Sequence, residues 1–165
     1  MESVGQHLQD EACSRTEADE KDVFARSSFN RYYYAAFLET RKMMTSLRPE
    51  WANLAHKNIP EVLRASVQAE FKSANRRALK TGDRHAIYAC STAISAAKNL
   101  ADLLEQSYSI RVVADYKSET PIVFNAPANF TLNAIPITIA RQWPSKAKGF
   151  AQSISSGWRQ ANVFA

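Results

Sequence analysis

The sequence predicts an all-α fold, an antiparallel bundle of four to five helices. Glycine is scarce, with 4 residues among 165, whereas residues that favour helices are abundant. In three long segments, apolar side chains recur every three or four residues, as they do on one face of a helix. A hydrophobic content of 45% is sufficient for one domain with a buried core.

The first predicted helix runs from about Thr16 to Leu47. Thr16 and Asp19 have the spacing of a capping box, which favours a helix start. Pro49 sets the end of the helix, because the residue before a proline disfavours helical geometry. The apolar face of this helix consists of Phe29, Tyr33, Phe37, Met44 and Leu47. Residues 1–15 show weak periodicity, so we interpret them as a mobile N-terminal segment.

A second helix is predicted from about Ile59 to Leu79 and a third from about Arg84 to Tyr108. Gly82 can end the second helix, and Asp83 can cap the third. The buried face of the second helix is predicted to contain Ile59, Leu63, Val67, Phe71 and Ala74. That of the third is predicted to contain Ile87, Cys90, Ile94, Ala97, Ala101, Leu104 and Tyr108.

Residues 109–130 are predicted to form a loop, because they are rich in turn-forming residues. These residues are Ser118, Pro121, Asn125, Pro127 and Asn129. A final helix is predicted over about 136–160, kinked or divided at Pro144. A short strand is an alternative where Ile135, Ile137 and Ile139 alternate with other residues. We find no linker within residues 16–165, and therefore expect a single domain there.

The charge is distributed unevenly along the chain. Residues 1–22 contain seven acidic and two basic residues, whereas the remainder contains 19 basic and 9 acidic residues. A basic body is compatible with an anionic partner such as RNA, although an ordinary basic surface is the simpler interpretation. The two cysteines have no metal-binding spacing and indicate a reducing compartment. We therefore expect a cytoplasmic protein without membrane association, metal or cofactor.

Three segments carry a resemblance to a known family. Ser27-Ser-Phe-Asn-Arg-Tyr-Tyr-Tyr-Ala-Ala-Phe37 lies within the first predicted helix, His56 precedes the second, and Arg111-Val-Val-Ala-Asp-Tyr116 follows the third. In this order they resemble the HEPN family (higher eukaryotes and prokaryotes nucleotide-binding). The positions that carry the match and that we assign to its structural motif are Asn30, Tyr33, Phe37, Arg111, Asp115 and Tyr116.

The resemblance implies an antiparallel helical bundle that is usually dimeric. Many HEPN proteins are metal-independent ribonucleases, others are toxins paired with small nucleotidyltransferases, and others belong to antiviral defence systems. We therefore expect a homodimer or a larger complex. RNA and a nucleotidyltransferase, or another protein of a defence system, are the expected partners.

The catalytic motif of the family has an arginine, four to six residues, and then a histidine. Here Arg48 and His56 are separated by seven residues, as are Arg77 and His85. Metal-free RNA cleavage needs a titrating group near the 2′-hydroxyl and a cation at the phosphate. The remaining catalytic candidates are Arg31 with His56, and Arg84 with His85. A cap or surface contact is the simpler role for His56.

A cluster of basic residues surrounds the turn between the second and third helices. It consists of Arg76, Arg77, Lys80 and Arg84, and it is the predicted nucleic-acid-binding site. The alternative is a solvated helix end, in which these cations offset the negative end of the helix dipole.

The two other prominent groups have structural interpretations. Tyr32, Tyr33 and Tyr34 cannot all face one core, so we expect at least one to be exposed or to lie in an interface. Arg111 and Asp115 would form an ion pair if the third helix extends that far.

These observations predict an RNA-binding or protein-binding assembly module of a prokaryotic defence or toxin–antitoxin-type system. The module would have a degenerate nuclease motif. An active metal-independent endoribonuclease is the alternative.

Overall fold

The computed structural model describes residues 1–126 and 128–161 and is mainly helical. The helices are α1 (Glu2–Ser14), α2 (Ala18–Leu47), α3 (Ile59–Val62), α4 (Gln68–Thr81), α5 (Arg84–Tyr116), α6 (Ile137–Ala140) and α7 (Trp143–Gln160). Leu63–Val67 form a π-helical turn between α3 and α4, and Pro49–Trp51 and His56–Asn58 form 3-10 turns. The strands are β1 (Ile122–Ala126), β2 (Asn129–Leu132) and β3 (Ile135–Pro136).

The chain forms two compact units. The first contains residues 1–37 and 106–145, and the second contains residues 38–105 and 146–165. Helices α2 and α5 each supply residues to both units. The predicted range of the single domain, 16–165, is therefore divided between two units, and α1 belongs to the first of them.

The aromatic side chains of α2 form the core of the first unit. Tyr32 is fully buried, and α1 packs on its ring at Gly5. A Cβ atom added to Gly5 would lie 2.9 Å from the ring of Tyr32, so only glycine permits this approach. The Tyr32 hydroxyl donates a hydrogen bond to Gln9 Oε1 at 2.9 Å. Residues 1–15 thus supply a helix with its own buried contacts.

Three strands cover another part of the same core. β1 and β2 pair antiparallel with Phe124 opposite Phe130, and β2 pairs antiparallel with β3. The ring of Phe130 packs edge-on against Phe29 of α2 at a centroid distance of 6.0 Å. Asn133 and Ala134 connect β2 to β3 with φ angles of 48° and 63°, the geometry of a tight two-residue hairpin turn.

The second unit is a helical core built around α4, α5 and α7. Phe71 of α4 packs edge-on against Trp158 of α7, with 5.5 Å between the ring centroids. Gly157 of α7 lies against α5, and a Cβ atom there would be 2.7 Å from that of Ala93. The small side chains of α5 therefore permit close helix packing.

Three predictions about local structure need correction. Residues 109–130 are not one loop, because α5 continues to Tyr116 and β1 and β2 follow it; Pro127 lies outside the described residues. The last helical region divides before Trp143 rather than at Pro144, because proline is well tolerated in the first turn of α7. The alternative of a short strand is confirmed only for Ile135–Pro136.

Of the three tyrosines, one keeps part of its surface exposed, in keeping with the prediction that they cannot all face one core. Tyr32 and Tyr33 are both buried, with 0% and 1% of their surface exposed, and Tyr34 is half-buried. Tyr32 is buried because α1 packs on its side of α2, a contact that the sequence did not predict. The predicted apolar faces of α2 and of the α3–α4 segment are buried throughout.

Candidate functional site

Two of the segments that resemble the family meet in the first unit. Asn30 Nδ2 donates a hydrogen bond to Asp115 Oδ1 at 2.6 Å. Arg111 Nε lies 2.8 Å from Asp115 Oδ2, so the predicted ion pair is present. Its two side chains are 17% and 23% exposed. These contacts fix the end of α5 against the face of α2 that carries Asn30.

The guanidinium of Arg111 also lies between two aromatic rings. It is 5.8 Å from the ring centre of Tyr34 and 5.5 Å from that of Tyr116, within the range of cation–π attraction. Burial disfavours the charge of Arg111, but Asp115 and the neighbouring tyrosines outweigh it and raise its pKa. Arg111 is therefore a fixed cation that contacts Asp115, Tyr34 and Tyr116 at the same time.

Arg26 binds the segment that follows α5, a role that was not predicted from the sequence. Its Nη1 donates to the carbonyl of Lys117 at 3.2 Å, and its Nη2 donates to that of Thr120 at 2.6 Å. Its Nε bonds to Asp22 Oδ2 at 2.6 Å, and only 12% of its side chain is exposed. A cation at the carboxyl end of a helix is electrostatically favoured.

The catalytic candidates belong to different elements of the two units. Arg31 lines a hollow of about 270 Å³ in the first unit, together with Asn30 and Asp115. His56 is half-buried in a 3-10 turn of the second unit. His85 and Arg84 are exposed in the first turn of α5. The motif residues Tyr33 and Phe37 are buried in the aromatic core, where burial raises the pKa of the Tyr33 hydroxyl.

The predicted nucleic-acid-binding residues lie at the turn between α4 and α5. We call Arg76, Arg77, Lys80, Arg84 and His85 the basic turn, and all five are exposed. Gly82 adopts the left-handed conformation that ends α4, with a φ angle of 71°, and Asp83 Oδ1 accepts a hydrogen bond from the amide of Ala86 at 3.0 Å. Both predicted caps are confirmed. The carboxylate of Asp83 is therefore engaged by the helix start.

The second unit carries most of the positive charge. It contains 14 basic and 7 acidic residues, for a net charge of +7. Four of its seven carboxylates bind two arginines: Arg48 pairs with Glu50 and Glu70, and Arg64 pairs with Asp102 and Glu105. With Asp83 engaged as well, Glu39 and Glu61 are the remaining acids of this unit.

A basic groove between α2 and α7 was not predicted from the sequence. We call it the α2–α7 groove; its volume is about 330 Å³, and it lies within the second unit. Its lining consists of Glu39, Lys42, Met43 and Ser46 of α2 and Lys148, Ala151, Gln152, Ser155 and Arg159 of α7. The available signal was the spacing of these residues by three and four along each helix, which places them on one face.

The two cysteines and the metal-binding residue types do not form a further candidate site among the described residues. Cys13 is half-buried and Cys90 is buried, both are free thiols, and burial raises the pKa of each. Among the described residues, no cluster of His, Cys, Asp and Glu side chains is arranged to hold a metal ion. Within the same part of the chain, no helix has the length and apolar character needed to cross a membrane.

Comparison with protein-family models, with curated proteins and with solved structures gives no match for this chain.

Proposed function

We propose that this protein is a HEPN-like RNA-binding module without nuclease activity. The observation that carries the proposal is the basic turn, in which five exposed side chains of one short segment belong to a unit of net charge +7. Exposed arginines and lysines supply the phosphate contacts that dominate RNA affinity. The contacts of Asn30 and Arg111 with Asp115 support the resemblance, because they connect two of its segments.

The proposal extends to the biological setting that the resemblance implies. We propose a role in a prokaryotic defence or toxin–antitoxin-type system, as a homodimer or with a partner protein such as a nucleotidyltransferase. The absence of the family's usual spacing between arginine and histidine favours binding over cleavage.

RNA binding is tested by charge reversal in the basic turn. The variant Arg76→Glu/Arg77→Glu/Lys80→Glu should bind a short fluorescent single-stranded RNA more weakly than the wild type. Because each phosphate contact contributes about −0.7 to the slope of log affinity against log salt, the slope should decrease by about 2 in magnitude. Fluorescence anisotropy at several salt concentrations measures both quantities.

The matched control carries the same change of charge away from the turn. Lys57, Lys98 and Lys117 are exposed, and replacing all three by glutamate should alter binding much less. Equal losses in the two triple variants would show that only overall charge matters and would contradict the assignment of the site. Unchanged RNA binding in the basic-turn variant would also contradict the assignment of the site.

The absence of nuclease activity is tested with the purified protein and RNA in the presence of a chelator. We expect no cleavage above background, and no difference between the wild type and the variants His56→Ala and His85→Ala. Robust cleavage that either substitution abolishes would establish the alternative, an active endoribonuclease. A 2′,3′-cyclic phosphate end on the product would then fit metal-independent attack by the 2′-hydroxyl.

A further inference from the structure

The α2–α7 groove differs from the basic turn because its cations line a hollow together with polar side chains. Lys42, Lys148 and Arg159 stand around a hollow whose lining also includes the polar side chains of Gln152 and Ser155. The hollow is concave and, at about 330 Å³, is within the size range of sites for small ligands.

Among the residues that the structure describes, the three cations of the groove have no carboxylate partner. Within the described residues, none of them forms an ion pair, in contrast to Arg48 and Arg64 of the same unit. The chain contains no acidic residue after Glu119, so α7 brings only positive charge to the groove. Glu39 is the one acid in the lining, which leaves a net charge of +2 there.

We propose that the α2–α7 groove binds a phosphate group. Its three cations and the hydrogen-bonding groups of Gln152 and Ser155 match an anion with several acceptor oxygens, and charge-assisted hydrogen bonds are the strong ones. The phosphate belongs either to an RNA backbone or to a free phosphate ester. This inference goes beyond the proposed function, because the groove shares no residue with the basic turn.

The test compares two probes on the full chain. Inorganic pyrophosphate is titrated by calorimetry, and the short fluorescent RNA by anisotropy. The variant Lys42→Gln/Lys148→Gln/Arg159→Gln should bind at least one of the two probes about tenfold more weakly than the wild type. Circular dichroism should show unchanged helicity, since all three side chains are exposed. The control Lys57→Gln/Lys98→Gln/Lys117→Gln removes the same charge outside the groove and should bind like the wild type.

Glu39 gives a test of opposite sign. Its carboxylate repels a phosphate, so Glu39→Gln should strengthen binding of the same probe that the triple variant loses. A general loss of structure would weaken binding and could not produce this gain.

The outcomes distinguish the two possible sources of the phosphate, an RNA backbone and a free phosphate ester. Loss of pyrophosphate binding alone assigns the groove to free phosphate esters, and loss of RNA binding, with or without pyrophosphate, assigns it to the RNA backbone. A triple variant that matches the wild type with both probes overturns the inference. A wild type that binds neither probe also overturns it. A wild type that binds pyrophosphate but not RNA contradicts the proposed function and leaves this inference standing.

Discussion

The two units use their charged residues in different ways. The first contains 7 basic and 9 acidic residues, and two of its mostly buried cations, Arg26 and Arg111, bind backbone carbonyls, carboxylates or aromatic rings. The second has a net charge of +7, and its basic turn is exposed. Charge in the first unit therefore fixes the positions of α5 and the segment after it. In the second unit, the cations of the basic turn lie at the surface.

The largest expected effect tests whether the aromatic cores of the two units contribute equally to the stability of the protein. Phe37 is 2% exposed in the first unit, and Phe71 is 0% exposed in the second. Replacing either by alanine should lower the free energy of unfolding by about 3–5 kcal/mol, because a large cavity remains. Urea denaturation measures both losses. The control Tyr88→Ala, at a side chain that is 75% exposed, should change little. A loss well below 1 kcal/mol at either phenylalanine would mean that its core is loosely packed.

The second effect concerns alkaline pH and the packing of α1 in the first unit. Burial raises the pKa of Tyr32 from 10.0 to about 12. The neutral hydroxyl therefore stabilises the fold fully below about pH 10, and this contribution is lost as the pH rises towards 12. A shift of two pKa units corresponds to about 3 kcal/mol. Urea midpoints measured at rising pH should consequently fall less steeply in Tyr32→Phe than in the wild type.

Tyr88 of the second unit provides the comparison for this pH effect. Its side chain is 75% exposed, so Tyr88→Phe should follow the pH profile of the wild type. Identical profiles for wild type, Tyr32→Phe and Tyr88→Phe would show that α1 does not keep Tyr32 from water.

The smallest effect compares one ion pair from each unit. Asp115→Asn removes the partner of Arg111, whose side chain is only 17% exposed, and should cost about 1–2 kcal/mol. Asp102 pairs with Arg64 in the second unit, but its side chain is 52% exposed, and Asp102→Asn should cost less than about 1 kcal/mol. Thermal or urea unfolding of both variants gives the two values. A larger loss for Asp102→Asn would reverse the contrast between the units.

The sequence predicted the long helices well because their stabilising pattern is local. In the faces that begin with Phe29 and Ile59, apolar side chains recur at intervals of three, four or seven residues. All of them are buried in the structure. The caps at Gly82 and Asp83 depend on neighbouring residues alone, and both are present. The ion pair of Arg111 and Asp115 was predicted on the condition that the helix continues, and it does.

The small sheet was missed because its signals are weak in the sequence. β2 and β3 are connected through Asn133 and Ala134, and alanine at a positive φ angle is uncommon. The three strands have 5, 4 and 2 residues, so any alternating pattern within them is short. Their stabilisation comes from contacts such as that between Phe130 and Phe29, which are distant in the chain.

By itself, the sequence determined the helical character of this protein and the basic turn, because each depends on residues that are close together in the chain. Only the tertiary structure decided that α1 buries Tyr32, that Arg26 binds the segment after α5 and that the α2–α7 groove exists. Each of these joins residues far apart in sequence. Periodicity shows which face of a helix is apolar or charged, but the partner that meets that face is set by packing of the whole chain.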